Sequence, residues 1–155
     1  MANKTNALRM LDKAKINYQT KEYEVQEDLS GVHLIKQLGL NAKEVYKTLV
    51  LIGDKKDYLV ACIHVDQEIN IKKLATLSHH KKVEMLHQKD LLATTGYIRG
   101  GCSPIGMKKL FPTYFQEDIL SLEKVYVSAG KRGLQVILSP QDLINMTHGR
   151  TGDMN

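Results

Sequence analysis

Apolar residues recur along this chain with two periods, and the switches between them mark its elements. Leu8, Leu11 and Ala14 fall at helical spacing with Arg9, Asp12 and Lys13 on the other side, and Thr5 or Asn6 can cap the first turn. A helix is predicted there, ending before Asn17. Tyr18, Tyr23 and Val25 predict an extended segment, and Gln26-Glu27-Asp28 with Ser30-Gly31 a loop. A short helix from about Ser30 turns Val32, Ile35 and Leu38 inward and stops at Gly39, which suits the left-handed position past a helix end. Asn41 caps a brief helical turn, with Glu44 reaching back to the cap backbone.

The middle of the chain alternates strands and helices. Thr48 to Ile52 and Tyr58 to Val65 are β-branched and leucine-rich, and Gly53-Asp54-Lys55-Lys56-Asp57 between them is a turn, so the pair reads as a hairpin. Asn70 caps a helix bearing Ile71, Leu74, Ala75 and Leu77. Val83 to Leu86 is a short strand whose partner is not readable. Gln88 or Lys89 opens a helix with Leu91 and Leu92 inside, ended by Gly96. Tyr97-Ile98-Arg99 is strand-like, and Phe111 to Phe115 is a strand if Pro112 sits at an edge or a bulge. After a turn at Glu117 to Leu122, Val125-Tyr126-Val127 and Leu134 to Leu138 form a second hairpin. Ser139 caps the last helix, with Pro140 at its first position and Asp142 near its positive end. From Thr147 the tail is polar and expected to fray.

Helices interspersed with six or seven short strands, hairpins as well as crossovers, give an α+β fold. The expected architecture is a single domain over residues 1–155, its core about 5–146, with a mixed β-sheet curling into a partial barrel among surrounding helices. A chain of 155 residues is long enough to bury one real core, and no linker divides it.

The formal charge is +5, and basic pairs such as Lys55-Lys56, Lys81-Lys82, Lys108-Lys109 and Lys131-Arg132 are spread along the sequence. Such a distribution makes a broad positive face that attracts polyphosphates, nucleic acid above all. No apolar run approaches the roughly 20 residues of a membrane span. The N-terminus lacks an apolar signal region, which predicts a cytoplasmic location without membrane partners. Cys62 and Cys102 are the only cysteines, so neither a disulfide framework nor a zinc site is expected. His79-His80 sits among lysines and reads as solvated surface. No metal and no cofactor is expected.

Candidate chemistry concentrates at three strand edges. Gly100-Gly101-Cys102-Ser103-Pro104-Ile105-Gly106 is too rich in glycine and proline for regular structure, and shapes a loop with exposed backbone N–H groups. Tyr46-Lys47-Thr48 and Ser128-Ala129-Gly130-Lys131-Arg132-Gly133 also place small polar and basic residues beside apolar runs, and the three edges can close on one pocket. Ile105 stands where a nucleophile elbow needs glycine, and no P-loop or G-x-G-x-x-G spacing occurs, which disfavours serine hydrolases and nucleotide hydrolases. Cys102 reads as a packing residue more than a nucleophile. Lys47 interrupts an apolar approach to a strand. It either snorkels to solvent or supplies a point charge to a phosphate or a developing oxyanion.

The combination of Tyr46-Lys47-Thr48-Leu49, Gly96-Tyr97 followed by Gly100 to Lys109, Tyr126 to Leu134, and Ser139-Pro140-Gln141-Asp142-Leu143 closely resembles the YbaK/EbsC family, and within it the YbaK-type Cys-tRNA(Pro) deacylases. The resemblance runs from about Thr5 to Asp142. It implies a free-standing trans-editing factor, related to the editing domain of bacterial prolyl-tRNA synthetases, that removes cysteine from mischarged proline tRNA. By motif, Lys47 matches the family's essential lysine. Tyr23, Thr48, Gly100, Gly101, Ser103 and Ser128 match its aminoacyl pocket, and Asp142 its Pro-Gln-Asp motif. Cys102 stands in place of an aliphatic residue and Ala129 in place of a glycine.

Such an enzyme needs little acid-base machinery, because its substrate is an activated ester. Backbone N–H groups near Gly100 to Ser103 would stabilise the carbonyl oxygen, and the cysteine thiol, held close to its own ester, or a water would attack. The implied partners are Cys-tRNA(Pro) and prolyl-tRNA synthetase in a ternary complex. The competing expectation is a non-catalytic module of the same fold that binds tRNA or its aminoacyl end.

Overall fold

A computed structural model describes residues 4–25 and 31–155. Most of the predicted elements form where their local chemistry places them. Thr5 Oγ1 accepts from Leu8 N at 3.2 Å to start α1 (Asn6–Lys13), which buries Ala7, Leu8 and Leu11. After β1 (Gln19–Glu22) come α2 (Gly31–Leu38), ended by Gly39 at φ +64°, and a 3-10 turn in which Asn41 Oδ1 accepts from Lys43 N. The predicted loop Gln26-Glu27-Asp28, Ser30 and the side chain of Val32 lie outside the described residues.

β2 (Tyr46–Gly53) and β3 (Tyr58–His64) pair antiparallel, Lys47 opposite Ile63 and Thr48 opposite Cys62. Asn70 Oδ1 caps α3 (Ile71–Leu77), and β4 (Val83–Met85) adds antiparallel to β2. α4 (Leu91–Thr95) ends at Gly96, φ +88°. β5 (Thr113–Gln116), β6 (Val125–Ser128), β7 (Leu134–Leu138), α5 (Pro140–Thr147) and β8 (Arg150–Gly152) complete the order, α5 being capped by Ser139 Oγ on Asp142 N.

The fold is a mixed α+β domain with two sheets among the described residues: β1-β7-β6, and β4-β2-β3-β5-β8, in which β3, β5 and β8 run parallel. No closed barrel forms. The sheets meet through one parallel bridge, Val45 to Tyr126, and stay separate beyond it. The main core lies between them, where α1, α5 and Phe115 meet Val127, Val136 and Cys62. A second core packs α3 and Met154 on the far face of β2 and β3.

Several expectations are corrected. The tail does not fray: β8 pairs with β5, Met154 is fully buried and its N–H donates to Gln116 Oε1 at 2.7 Å. One apolar anchor and a row of backbone bonds hold a segment whose composition is otherwise polar. Tyr97-Ile98-Arg99 is irregular and leads into a turn closed by Gly101 N donating to Ile98 O at 3.0 Å. Leu92 points outward, 54% exposed, because α4 is little more than one turn and presents Leu91 instead. The strand after Pro112 starts at Thr113, since proline has no N–H for the ladder, and Pro112 supplies only its carbonyl, to Val60 N. His80 is not solvated surface: its ring lies against the bare backbone of Gly53, with Nε2 2.7 Å from Asp57 and Nδ1 2.8 Å from Ser78.

Candidate active site

Beside the Val45–Tyr126 bridge, on the face of β6 and β7 turned away from the main core, lies a cleft of about 520 Å³. Strand alternation decides what faces it. On β6 and β7, Val127, Leu134 and Val136 point into the main core, so Ser128 and its cross-strand partner Gln135 project from the opposite face and line the cleft. The parallel bridge brings the start of β2 alongside β6, and Lys47 and Thr48 line the cleft there. Tyr23 joins from the end of β1, its N–H held by Gly133 O at 2.9 Å.

The glycine loop closes one side through contacts that leave no room for side chains. A Cβ on Gly101 would come within 2.9 Å of the Lys131-Arg132 backbone, so the β6–β7 loop rests directly on it. α1 ties both loops together: Thr5 Oγ1 donates to Ala129 O and Asn6 Nδ2 to Gly106 O at 2.7 Å. Arg132 Nε donates to Arg99 O at 2.7 Å across the same junction. The loops that shape the cleft are therefore rigidly cross-braced.

Of the residues singled out from sequence, the cleft brings together Tyr23, Lys47, Thr48, Gly100 and Ser128. Gly101 is buried beneath the loop contact. Ser103 is fully buried, its Oγ accepting from Ile105 N at 3.2 Å. Asp142 sits in the first turn of α5 and is not part of the cleft wall. Arg132, from the basic edge read in the sequence, lines it too, whereas Asp66, Glu68, Arg99 and Gln135 line it without having been singled out for chemistry. Gln135 had a signal, a lone amide between Leu134 and Val136 in an apolar strand.

Lys47 is half-buried, and its ammonium makes no hydrogen bond or ion pair among the described residues. Burial holds its ammonium below the usual lysine range, against the opposing pull of Glu68 and Asp66. Its neighbour Thr48 lies 3.8 Å from Cys62 Sγ. Burial pushes the Cys102 thiol up to about 12, which keeps it protonated and favours packing over nucleophilic attack. The N–H groups of Gly100 and Cys102, both cleft-lining residues, have no acceptor among the described residues, whereas that of Gly101 is spent on Ile98. A cation and N–H donors without acceptors among the described residues are what a site needs to stabilise a developing oxyanion.

A family model described as the aminoacyl-tRNA editing domain matches residues 31–146. This chain belongs to that family. An Enterococcus faecalis protein provisionally named Cys-tRNA(Pro)/Cys-tRNA(Cys) deacylase EbsC is 49% identical over 97% of this chain and 93% of that protein. The proline–tRNA ligase of Thermodesulfovibrio yellowstonii is 29% identical over 67% of this chain, which corresponds to only 18% of the ligase. Among solved structures, one provisionally named a trans-editing enzyme for prolyl tRNA synthetase superposes with a TM-score of 0.81 at 18% identity, covering 99% of both chains. That likeness carries the editing-domain fold. No helix among the described residues is long and apolar enough to cross a membrane.

Proposed function

We propose that this editing-family chain is a free-standing deacylase that removes cysteine from mischarged Cys-tRNA(Pro). The observation that carries the reading is Lys47, a half-buried cation without an ion-pair partner among the described residues, in a cleft also lined by Gly100 and Cys102, whose N–H groups have no acceptor there. The near-complete alignment with a relative named for this activity supports the choice of substrate.

In the proposed reaction the aminoacyl ester lies in the cleft with its carbonyl oxygen toward the Gly100 and Cys102 N–H groups. Lys47 stabilises the charge that develops there or holds the terminal phosphate. With a cysteinyl ester, the substrate thiol attacks its own carbonyl carbon. The S–C bond forms, the ester C–O bond breaks, and the thiol proton passes to the departing ribose oxygen, leaving cysteine thiolactone and deacylated tRNA. Water attacking the same carbonyl would give free cysteine. Tyr23, Thr48 and Ser128 shape the aminoacyl pocket, and Arg99 and Arg132 at the cleft are placed for phosphates of the acceptor end. Recognition of proline tRNA comes from a ternary complex with prolyl-tRNA synthetase.

The test is loss of label from purified Cys-tRNA(Pro), Ala-tRNA(Pro) and Pro-tRNA(Pro) incubated with the protein. Fast release of cysteine alone is expected. If all three esters survive while the protein binds tRNA, the chain is a binding module and the deacylase reading is wrong.

A further inference from the structure

The cleft holds acceptors that the reaction above leaves unused. Asp66 and Glu68 stand on the exposed loop between β3 and α3, line the cleft, and pair with no cation among the described residues. They act on Lys47 only through space. A second and independent acceptor sits in the wall built by the other sheet. Gln135 is 5% exposed, and its Oε1 is buried without a hydrogen-bond partner among the described residues. A buried amide oxygen left unpaired is costly and rare, so a ligand carrying N–H or O–H donors suits this cleft.

Two carboxylates are misplaced for a bare RNA end, which is polyanionic. An aminoacylated end differs from it by one cationic group, the α-ammonium, next to the ester. We infer that Asp66 and Glu68 recognise the α-ammonium of the aminoacyl ester, while Gln135 Oε1 accepts a hydrogen bond from the aminoacyl-ribose unit. The inference rests on the deacylase reading. It gives the cleft two electrostatic ends, Lys47 with the free N–H groups for the carbonyl oxygen and the acidic loop for the ammonium three bonds away. Once the ester is cut, the ammonium departs with the amino acid, and the tRNA end faces carboxylates that repel it. The same loop thus selects a charged tRNA and favours its release after cleavage.

The experiment compares kcat/KM for Cys-tRNA(Pro) and N-acetyl-Cys-tRNA(Pro), in wild type and in the Asp66→Asn/Glu68→Gln double variant. Acetylation also changes the ester's intrinsic reactivity, and loss of the two charges also affects Lys47. The readout is therefore the free-amine to N-acetyl ratio, which neither effect moves between the two proteins. The wild type is expected to favour the free amine, and the double variant to narrow that ratio about tenfold or more, the worth of a charge-assisted hydrogen bond. The two altered side chains are exposed, and a circular dichroism melt confirms that the variant folds. An unchanged ratio, or a wild type indifferent to acetylation, overturns the inference and leaves the deacylase reading standing. A wild type that cleaves neither ester overturns both.

Discussion

Lys73 and Lys47 both stand near carboxylates, and their surroundings differ. Lys73, on α3, donates to Asp153 Oδ2 at 2.7 Å, and Asp153 also accepts from Gln116 Nε2, so the pair fastens the C-terminal segment to the five-stranded sheet. Lys47 has two carboxylates within electrostatic reach and touches neither. The first cation is neutralised by its partner, on the surface, and holds chain together. The second is half-buried, lines the cleft and has no ion-pair partner among the described residues. A charged pair that satisfies itself has little left for a ligand, whereas an unpaired charge is retained at a cost that binding can offset.

The comparison predicts that the two sites fail in different ways. At the cleft, Lys47→Ala is expected to lower kcat/KM by about 10²- to 10³-fold, as removal of a stabilising group at an oxyanion does, with an unchanged thermal midpoint. Met154→Ala, behind the Lys73 clasp, reverses the pattern. It removes a fully buried side chain from the second core and should cost about 2–5 kcal/mol in urea unfolding, with activity per folded molecule retained.

Gly101→Ala belongs to the cleft side but acts through its frame. The new methyl meets the Lys131-Arg132 backbone at 2.9 Å, so the braced loops must part. A loss of about 1–3 kcal/mol and a raised KM are expected in the same preparation. The pH profile sharpens the contrast further. If charged Lys47 is required, activity falls as pH rises through its pKa, and burial puts that limb below the usual lysine range. Glu68 and Asp66 raise that pKa, so replacing them by their amides should move the limb lower still.

The smallest effect is expected at the clasp. Its hydrogen bonds hold the Asp153 carboxyl at about 2, Lys73 contributing most. A depressed carboxylate stabilises the fold above its unfolded pKa, and that contribution is lost as pH falls through the acid range toward 2. Lys73→Ala should therefore leave activity untouched and loosen only β8, seen as faster amide exchange at Arg150 to Gly152.

What the sequence disclosed follows the range of the interactions involved. Helix caps at Thr5, Asn41, Asn70 and Ser139 and the β2–β3 and β6–β7 hairpins depend on neighbours a few residues away, and all were legible. The parallel ladder β3-β5-β8 joins segments far apart in the chain, and nothing local announces it. Hence the tail from Thr147 read as frayed, although Met154 anchors it. The site divides in the same way. Lys47 betrayed itself by interrupting an apolar run, and the glycine loop by its composition. Asp66 and Glu68 looked like any polar turn, because only the meeting of the two sheets puts them in the cleft. Ser103 had the right motif, yet its hydroxyl is consumed inside its own loop.

The most direct test of the unpaired-cation account is single-turnover cleavage of Cys-tRNA(Pro) at saturating protein, which separates chemistry from binding. Lys47→Ala should cleave slowly even when every substrate molecule is bound, while Lys73→Ala keeps the wild-type rate. A Lys47→Ala protein that matches the wild-type rate at saturation would contradict the account.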